Sequence, residues 1–423
     1  MLGLLKNAGY RVVNDPCEAD AIVVNTCGFI GPAKEESIET ILEYSKYKKT
    51  KNCKVLIVTG CLAQRYSDEL IEEIPEIDVL LGTGNYTDII SSIDEAFNGK
   101  KICLTDGLDR PLTALPRQLS TIDGTAYLKI SDGCDNRCSY CIIPSLRGKA
   151  RSRSFESLIE ETAALVKGGV REIILIGQDV TRYGYDLDKD KDLIYLLNNM
   201  IEIEDLKWIR LLYLNPERVT DTLLDFIALQ PKICKYLDIP IQHISDKILK
   251  RMNRSSTSEN IKALLAKARK KIPGIVIRTS LIVGFPGEGE GEFNDLALFL
   301  REFQLNHVGV FSYSPEEGTD AATFSDQIDD AIKEERRASL MSTQKSISKR
   351  LNKMRLNEIC EVLIEGKSAD NTYIARSYGE APEVDGQIYV LSDKSLEKGE
   401  FVNVKITKTY EYDLLAEIYE SGE

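Results

Sequence analysis

The sequence predicts an α/β chain in three parts. They are an amino-terminal doubly wound parallel sheet, a central partial barrel of six βα units, and a carboxyl-terminal small antiparallel β-barrel. Three observations predict this. Unbroken apolar runs alternate with helical periodicities at the start, as strands covered on both faces require. Six more strand–helix alternations follow without interruption. The tail then changes to short alternating strands with glycine turns. The domains fall at 1–103, 120–350 and 353–423, with a linker at 104–119.

In the first part LGLLKNAGY reads as a helix, AIVVNTC as a strand, and GPAKEESIETILEYSKY as a helix with Pro32 in its first turn. KVLIVTGC and DVLLG read as strands, YSDELIEEI as a helix, and TDIISSIDEAFNG as a helix ended by Gly99. Cys27 and Cys61 each follow a strand, at the edge where open α/β sheets place ligands. The sequence opens in a helix with no strand before it, so the sheet reads as truncated. Residues 100–125, with Pro111 and Pro116, read as a connector.

The six central strands are AYLKI, REIILIG, WIRLLYL, KYLDIPIQ, VIRTSLIVG and HVGVFSY. In βα barrels the loops after the strands carry the chemistry. Here they hold CDNRCSYC, GQDVTRYG, NPER, QHIS, GFPGEGE and YSPEEGT. A helix rich in Lys and Arg follows over 332–355. From Met354 on there are 15 acidic and 7 basic residues.

Composition excludes several classes. No run approaches the roughly 18–20 apolar residues of a spanning helix and no leader opens the chain, so a cytoplasmic protein without membrane contact is expected. Ten cysteines in a reducing compartment are not disulfides, and two histidines, His243 and His307, argue against a His-rich metal site. A net charge of −13 opposes a protein living on phosphate contacts and favours a cationic partner or a small molecule.

SDGCDNRCSYCIIP places Cys134, Cys138 and Cys141 at C-x3-C-x2-C spacing. Structural zinc needs a fourth ligand, and no Cys or His lies near in sequence. A 4Fe–4S cluster held by three thiolates instead leaves one iron open to a small chelating ligand, with Tyr140 beside it. This motif, on the first loop of six βα units, resembles the radical S-adenosylmethionine (SAM) superfamily. The resemblance implies that SAM binds the open iron and is cleaved to a radical that abstracts hydrogen.

The domain order, with NTCGFI, VTGCLAQR, IGQDVTRYG, IPIQHIS, SLIVGFPGE and YSPEEGT, resembles the methylthiotransferases across the whole chain. NTCGFIGPAKEESIETI, CSYCIIPSLRGKARSRS, YSPEEGTDAA and GEAPEVDGQIYV are similar to the RimO-type branch. That branch adds a methylthio group to the β-carbon of an aspartate in ribosomal protein S-twelve. The alternative is the tRNA branch, acting on isopentenyladenosine in the anticodon loop. The resemblance also implies a TRAM-like final barrel, an electron donor protein, and a second, auxiliary 4Fe–4S cluster. Cys27 and Cys61 match two of its ligands, and the third belongs to a segment upstream of Met1. Cys17, in a loop before the strand, does not replace it.

Around the expected SAM site, Gly177 lets the backbone approach a ligand, and Gln178 and Asp179 offer polar groups. Gly284 and Gly287 flank a proline turn read as a wall beside adenine. Arg147, Lys149, Arg151 and Arg153 read as a solvated face or as contacts to substrate or phosphate. With the basic helix near Arg336 and Lys349, they are the main support for the tRNA alternative. His243 reads as a satisfied barrel histidine. GEGEGE is no phosphate loop, because its carboxylates repel phosphate. A zinc-structured scaffold without catalysis is the remaining rival.

Overall fold

Val55, Leu56, Ile57 and Val58 are buried in succession, which a strand achieves only when both faces are covered. The computed structural model describes residues 1–119, 124–188 and 190–420. They gather into two units. The first is Met1–Leu119, Asp132–Arg153 and Ser314–Thr323. The second takes the described residues of Ser120–Ser131, Ser154–Tyr313 and Phe324–Glu423.

The first unit is built on a parallel sheet of β1 (Ala21–Thr26), β2 (Val55–Gly60), β3 (Val79–Leu81) and β4 (Ile102–Leu104), in that order. Helices α1 (Leu2–Asn7), α2 (Gly31–Ser45), α3 (Tyr47–Thr50), α4 (Cys61–Arg65), α5 (Ser67–Glu73) and α6 (Ile89–Phe97) connect and cover it. Leu56 and Val58 pack with Ile41, Leu62 and Leu70 on one face. Val55 and Ile57 pack with Leu5, Ile89 and Ile93 on the other. Each such side chain contributes about 1.5–3 kcal/mol by leaving water. The fourth strand departs from the expectation of a connector beyond residue 100. Ile102–Leu104 pairs in parallel with Val79–Leu81, and three residues are too short to show a period.

The second unit begins its sheet with β5 (Thr125–Lys129), whereas the cysteine loop over Asp132–Arg153, with the two-residue strands β6 (Ser131–Asp132) and β7 (Arg151–Ser152) at its ends and α7 (Ile143–Arg147) within it, falls in the first unit. Beyond it come β8 (Glu172–Ile176), β9 (Trp208–Leu211), β10 (Tyr236–Asp238), β11 (Val276–Val283) and β12 (His307–Ser312). Parallel sheets β5-β8-β9 and β10-β11-β12 meet at the parallel bridge Ile209–Ile233, which makes one arc of six strands. Helices α8 (Phe155–Lys167), α9 (Leu193–Met200), α10 (Asp221–Leu229), α11 (Asp246–Arg251), α12 (Ser258–Lys271) and α13 (Glu290–Phe303) alternate with these strands along the chain. Leu158, Leu196, Leu224, Leu265 and Leu300 from these helices share one core with the strands.

After α14 (Asp330–Met354), strands β13 (Ile359–Ala369), β14 (Thr372–Arg376), β15 (Ile388–Leu391), β16 (Phe401–Thr409) and β17 (Leu414–Ile418) close as β13-β14-β15-β17-β16. Glu172, the first residue of β8, joins this barrel to the six-strand arc. It is wholly buried, and accepts from Arg210 Nε at 2.8 Å and Arg376 Nη2 at 2.6 Å. Arg210 also donates to the Tyr378 carbonyl at 2.7 Å. Burial opposes the charge on Glu172, but Arg376 and Arg210 outweigh it and hold the carboxyl down at about 2.

The basic helix α14 corrects a sequence expectation, because its arginine is not an open cation. Arg336 is buried and donates to Glu288 Oε1 and Glu290 Oε1, both at 2.8 Å. Lys349 pairs with Glu411 at 3.2 Å. Arg336 is thus held by partners distant in sequence, while Lys345, Arg350 and Lys353 of the same helix are exposed. Among the described residues no helix is long and apolar enough to cross a membrane.

Candidate active site

The register of β1 on β2 pairs Thr26 with Gly60, so the next residue of each strand is a cysteine, Cys27 or Cys61. The join is tight. Gly60 has φ +105°, and a Cβ there would lie 2.4 Å from the Thr26 carbonyl oxygen. Gly28 also comes close to the Cys61–Leu62 backbone, where a Cβ would lie 2.8 Å from the Leu62 nitrogen. Only glycine fits at either place. Ser37 clamps the Cys27 backbone, accepting from its N–H at 3.1 Å and donating to its carbonyl at 3.2 Å. The Cys27 side chain is exposed and Cys61 is buried.

The same unit contains Cys134, Cys138 and Cys141. Cys141 N–H donates to the Cys138 carbonyl at 3.1 Å, which turns the loop tightly, and α7 begins two residues later. Ile142 and Leu146 pack against Cys61 and Phe29, and Thr83 Oγ1 donates to the Leu146 carbonyl at 2.6 Å. Arg147, the last residue of α7, donates from Nη1 to Asp132 at 3.2 Å and from Nη2 to Cys61 Sγ at 3.6 Å. Burial works against its charge, but Asp132 and Cys61 outweigh it and raise its pKa. The helix that closes the triad loop therefore rests on one of the two strand-end cysteines.

Burial pushes the Cys141 thiol up to about 12, and the neighbouring Cys138 and Cys134 push the same way, against the Ile143 N–H. Cysteine thiolates are the donors that iron–sulfur clusters take, so the residue types present fit such a group. Among the described residues no group of three His, Cys, Asp or Glu side chains forms a site for a single metal ion. Tyr140 is half-buried between the second and third cysteine.

Of the basic run after the triad, Arg147 is engaged as above. Arg151 donates to the carbonyls of Arg110 at 2.6 Å and Arg147 at 3.1 Å, and Arg153 is buried. Lys149 is exposed. Most of the run thus serves the loop itself rather than a solvated face.

In the second unit Gly177 follows β8, and a Cβ there would lie 2.5 Å from Ser131 Oγ. Asp179 is engaged by Arg218 at 2.6 Å and by Thr181. The Gln178 Oε1 atom is buried with no hydrogen-bond partner among the described residues. An orphaned buried acceptor is costly unless a ligand completes it, which fits a polar ligand such as SAM. Gly284 has φ +69°, and a Cβ there would lie 2.2 Å from Lys333 Cγ, so packing on α14 already requires glycine. Its N–H donates to Glu288 Oε1 at 2.9 Å. That carboxylate sits in GEGEGE, where it also meets Arg336 and His243, so the segment braces a loop. His243 is satisfied by Glu288 at 3.2 Å and by the Ser245 N–H at 3.0 Å.

Three further residues carry the first unit's geometry without having stood out in the sequence. Glu316, in the YSPEEGT segment, is nearly fully buried and meets Lys34 and Arg65, each at 2.9 Å. Arg65 also donates to the carbonyls of Gly28 at 2.9 Å and Glu317 at 2.6 Å. Burial opposes the Glu316 charge, yet Lys34, Ser314 and Arg65 hold its carboxyl below the usual range.

Comparison with known proteins agrees with this arrangement. Residues 128–300 match the Radical SAM superfamily, 1–82 the Uncharacterized protein family UPF0004, and 358–418 the TRAM domain. The ribosomal protein uS12 methylthiotransferase RimO of Clostridium novyi (strain NT) is 52% identical over 425 residues, covering 100% of this chain and 95% of that protein. The chain belongs to the RimO family. The protein of that name from Acetivibrio thermocellus is 49% identical over 427 residues, covering 99% of this chain and 94% of that one. Among solved structures, the radical SAM methyltransferase TsrM from Kitasatospora setae, with cobalamin and a [4Fe-4S] cluster bound, aligns with a TM-score of 0.56. Its identity is 15%, with 75% of this chain and 69% of that one covered, a likeness of fold alone. Within the RimO family, the cysteine loop lies inside the matched radical SAM segment, and Cys27 and Cys61 lie inside the matched amino-terminal one.

Proposed function

We propose that this chain is a radical-SAM methylthiotransferase that replaces a β-carbon hydrogen of an aspartate in ribosomal protein uS12 by a methylthio group. The observation that carries this reading is the packing of the triad's helix, through Leu146 and Arg147, on Cys61. The substrate follows the full-length identity to the uS12 methylthiotransferases.

On this reading Cys134, Cys138 and Cys141 hold a 4Fe–4S cluster. Tyr140, Gly177, Gln178 and Gly284 border SAM, and Cys27 and Cys61 serve an auxiliary cluster. When bound, cluster and SAM supply the one-electron chemistry that activates an otherwise unreactive C–H bond. The chain's own residues do the positioning. Ser37 fixes the Cys27 backbone, Gly60 and Gly28 let the two strand-end loops abut, and Gln178 Oε1 offers an acceptor to a polar ligand. The electron comes from a reduced donor protein. The barrels at 120–350 and 353–423 and the sheet domain at 1–103 are assigned as the radical-SAM core, the TRAM-like barrel and the auxiliary domain.

A basic ribosomal protein suits a chain of net charge −13. Of the cations that favoured the tRNA alternative, Arg336 is buried and paired with two carboxylates. Mass spectrometry of uS12 and tRNA from a strain deleted for this protein's gene tests the reading. The expected result is loss of the methylthio group from the uS12 aspartate. A mark lost from tRNA, with uS12 still modified, overturns it.

A further inference from the structure

The geometry points to the segment Ser314–Thr323 as a strap that holds the two cysteine sites in register, with Glu316 as its positioning residue. The inference rests on the proposed roles of the cysteines. The segment follows β12 in the chain, yet it clusters in the first unit with both cysteine sets.

One end of the strap is tied to the strand-end cysteines. Glu316 Oε2 accepts from Lys34 of α2 and Arg65 of α4, each at 2.9 Å. These helices follow Cys27 and begin at Cys61, respectively. Arg65 extends the tie, since the same guanidinium donates to the Gly28 carbonyl, one residue beyond Cys27. The other end is tied to the triad loop. The Ala321 N–H donates at 2.8 Å to the carbonyl of Ser139, which lies between Cys138 and Cys141. Gly318 lies beside Ile142, within ordinary van der Waals reach of its Cδ1.

Between these ends the strap is braced by its own hydrogen bonds. Thr319 donates to the Glu316 carbonyl from both its N–H, at 3.1 Å, and its Oγ1, at 2.6 Å. Ser314 Oγ donates to Glu316 Oε1 at 2.8 Å. Glu316, Thr319 and Ala321 are all buried, so water does not compete for these bonds. A loop that only closed a barrel would not need a buried carboxylate shared by two cations from two other helices. A reaction that uses both sites needs their separation held fixed, because a misplacement of about 1 Å costs on the order of 100-fold in rate.

The test compares wild type with Glu316→Ala, Glu316→Gln and Glu316→Asp in the full chain. Amide hydrogen exchange on the cluster-free protein gives the first readout. Glu316→Ala and Glu316→Gln are expected to speed exchange on the order of tenfold at residues 27–29 and 139–142, with β2 unchanged and Glu316→Asp partly protected. Faster exchange confined to 314–323 overturns the strap, as does no change.

The second readout, on the reconstituted enzyme, is methylthio product formed per SAM cleaved. Glu316→Gln is expected to lower that ratio on the order of 100-fold, and Glu316→Asp by less. An unchanged ratio overturns the positioning role. A ratio insensitive to Cys27→Ala, or a wild-type chain that makes no product, instead overturns the functional reading, and hydrogen exchange still decides the strap.

Discussion

Arg147 and Cys61 meet: the guanidinium Nη2 lies 3.6 Å from the cysteine sulfur, while Nη1 lies 3.2 Å from Asp132. Arg147 lies in the helix that follows the triad, whereas Cys61 is far away in sequence and belongs to a different proposed site. One residue thus ties the foot of the triad loop to the end of β2. Arg147→Met removes the cation and leaves the Asp132 carboxylate, almost fully buried, without this partner. The expected cost is about 3 kcal/mol of folding stability, measured by urea denaturation of the full chain. Arg147→Lys restores the charge but not the two-pronged geometry and recovers part of the loss.

Gly60 gives a second, sharper expectation at the same join. With φ +105° and the Thr26 oxygen 2.4 Å from any Cβ, Gly60→Ala must shift the backbone between Cys27 and Cys61. Its positive φ with ψ −158°, a region nearly confined to glycine, alone costs about 1–3 kcal/mol, and the clash adds to it. Thermal melting registers the loss, and Gly99→Ala is the control, with a positive φ but nothing near its Cβ. Gly99→Ala is expected to lose only the conformational part.

The triad prediction concerns metal content. Substituting any one of Cys134, Cys138 or Cys141 by alanine is expected to lower bound iron by about four atoms per chain after anaerobic reconstitution. Iron and sulfide analysis checks this. Iron unchanged in all three variants contradicts the cluster assignment.

How far the sequence foresaw these features follows from the range of the interactions. The strand ends carrying Cys27 and Cys61 were legible because apolar runs locate strands, and parallel strands present their ends together. The triad stood out because its three cysteines lie within eight residues of sequence. β4 was not, since three residues carry no period. Arg147 and Arg336 read as open cations because Asp132 and Glu288 reach them through the fold rather than the chain. Glu172 opens an otherwise apolar strand, and nothing beside it announces that Arg210 and Arg376 will bury it. The same is true of Glu316, whose partners Lys34 and Arg65 come from the other end of the chain.

That buried Glu172 makes stability depend on acid pH. Its carboxyl titrates at about 2 in the folded chain against an ordinary 4.5. A depressed folded value gives stability that is fully present above the unfolded value and is lost as pH falls toward the folded one. Stability is therefore expected to drop from about pH 4.5 downward, by about 3 kcal/mol for this group. Glu380, held at about 2 against burial by Arg355 and Ser377, adds to the loss in the same window. Glu172→Gln should flatten part of the slope in urea midpoints measured from pH 5 to pH 3. It should also destabilise the chain at pH 7, because Arg210 and Arg376 lose their shared counter-charge.

Gln178 separates ligand binding from folding. Its buried Oε1 has no partner among the described residues, so the folded chain bears the desolvation cost and receives no bond in return. If SAM supplies the missing donor, Gln178→Leu loses that bond. The expected fall in SAM affinity is about tenfold, from about 1.5 kcal/mol for one hydrogen bond to a charged or strongly polar group. Stability without ligand is expected to hold or rise, since an unsatisfied buried oxygen has been removed. Equilibrium SAM binding and thermal melting on the same reconstituted sample read the two effects apart. A variant that binds SAM as wild type does, yet melts earlier, makes Gln178 a packing residue and places the SAM contact elsewhere.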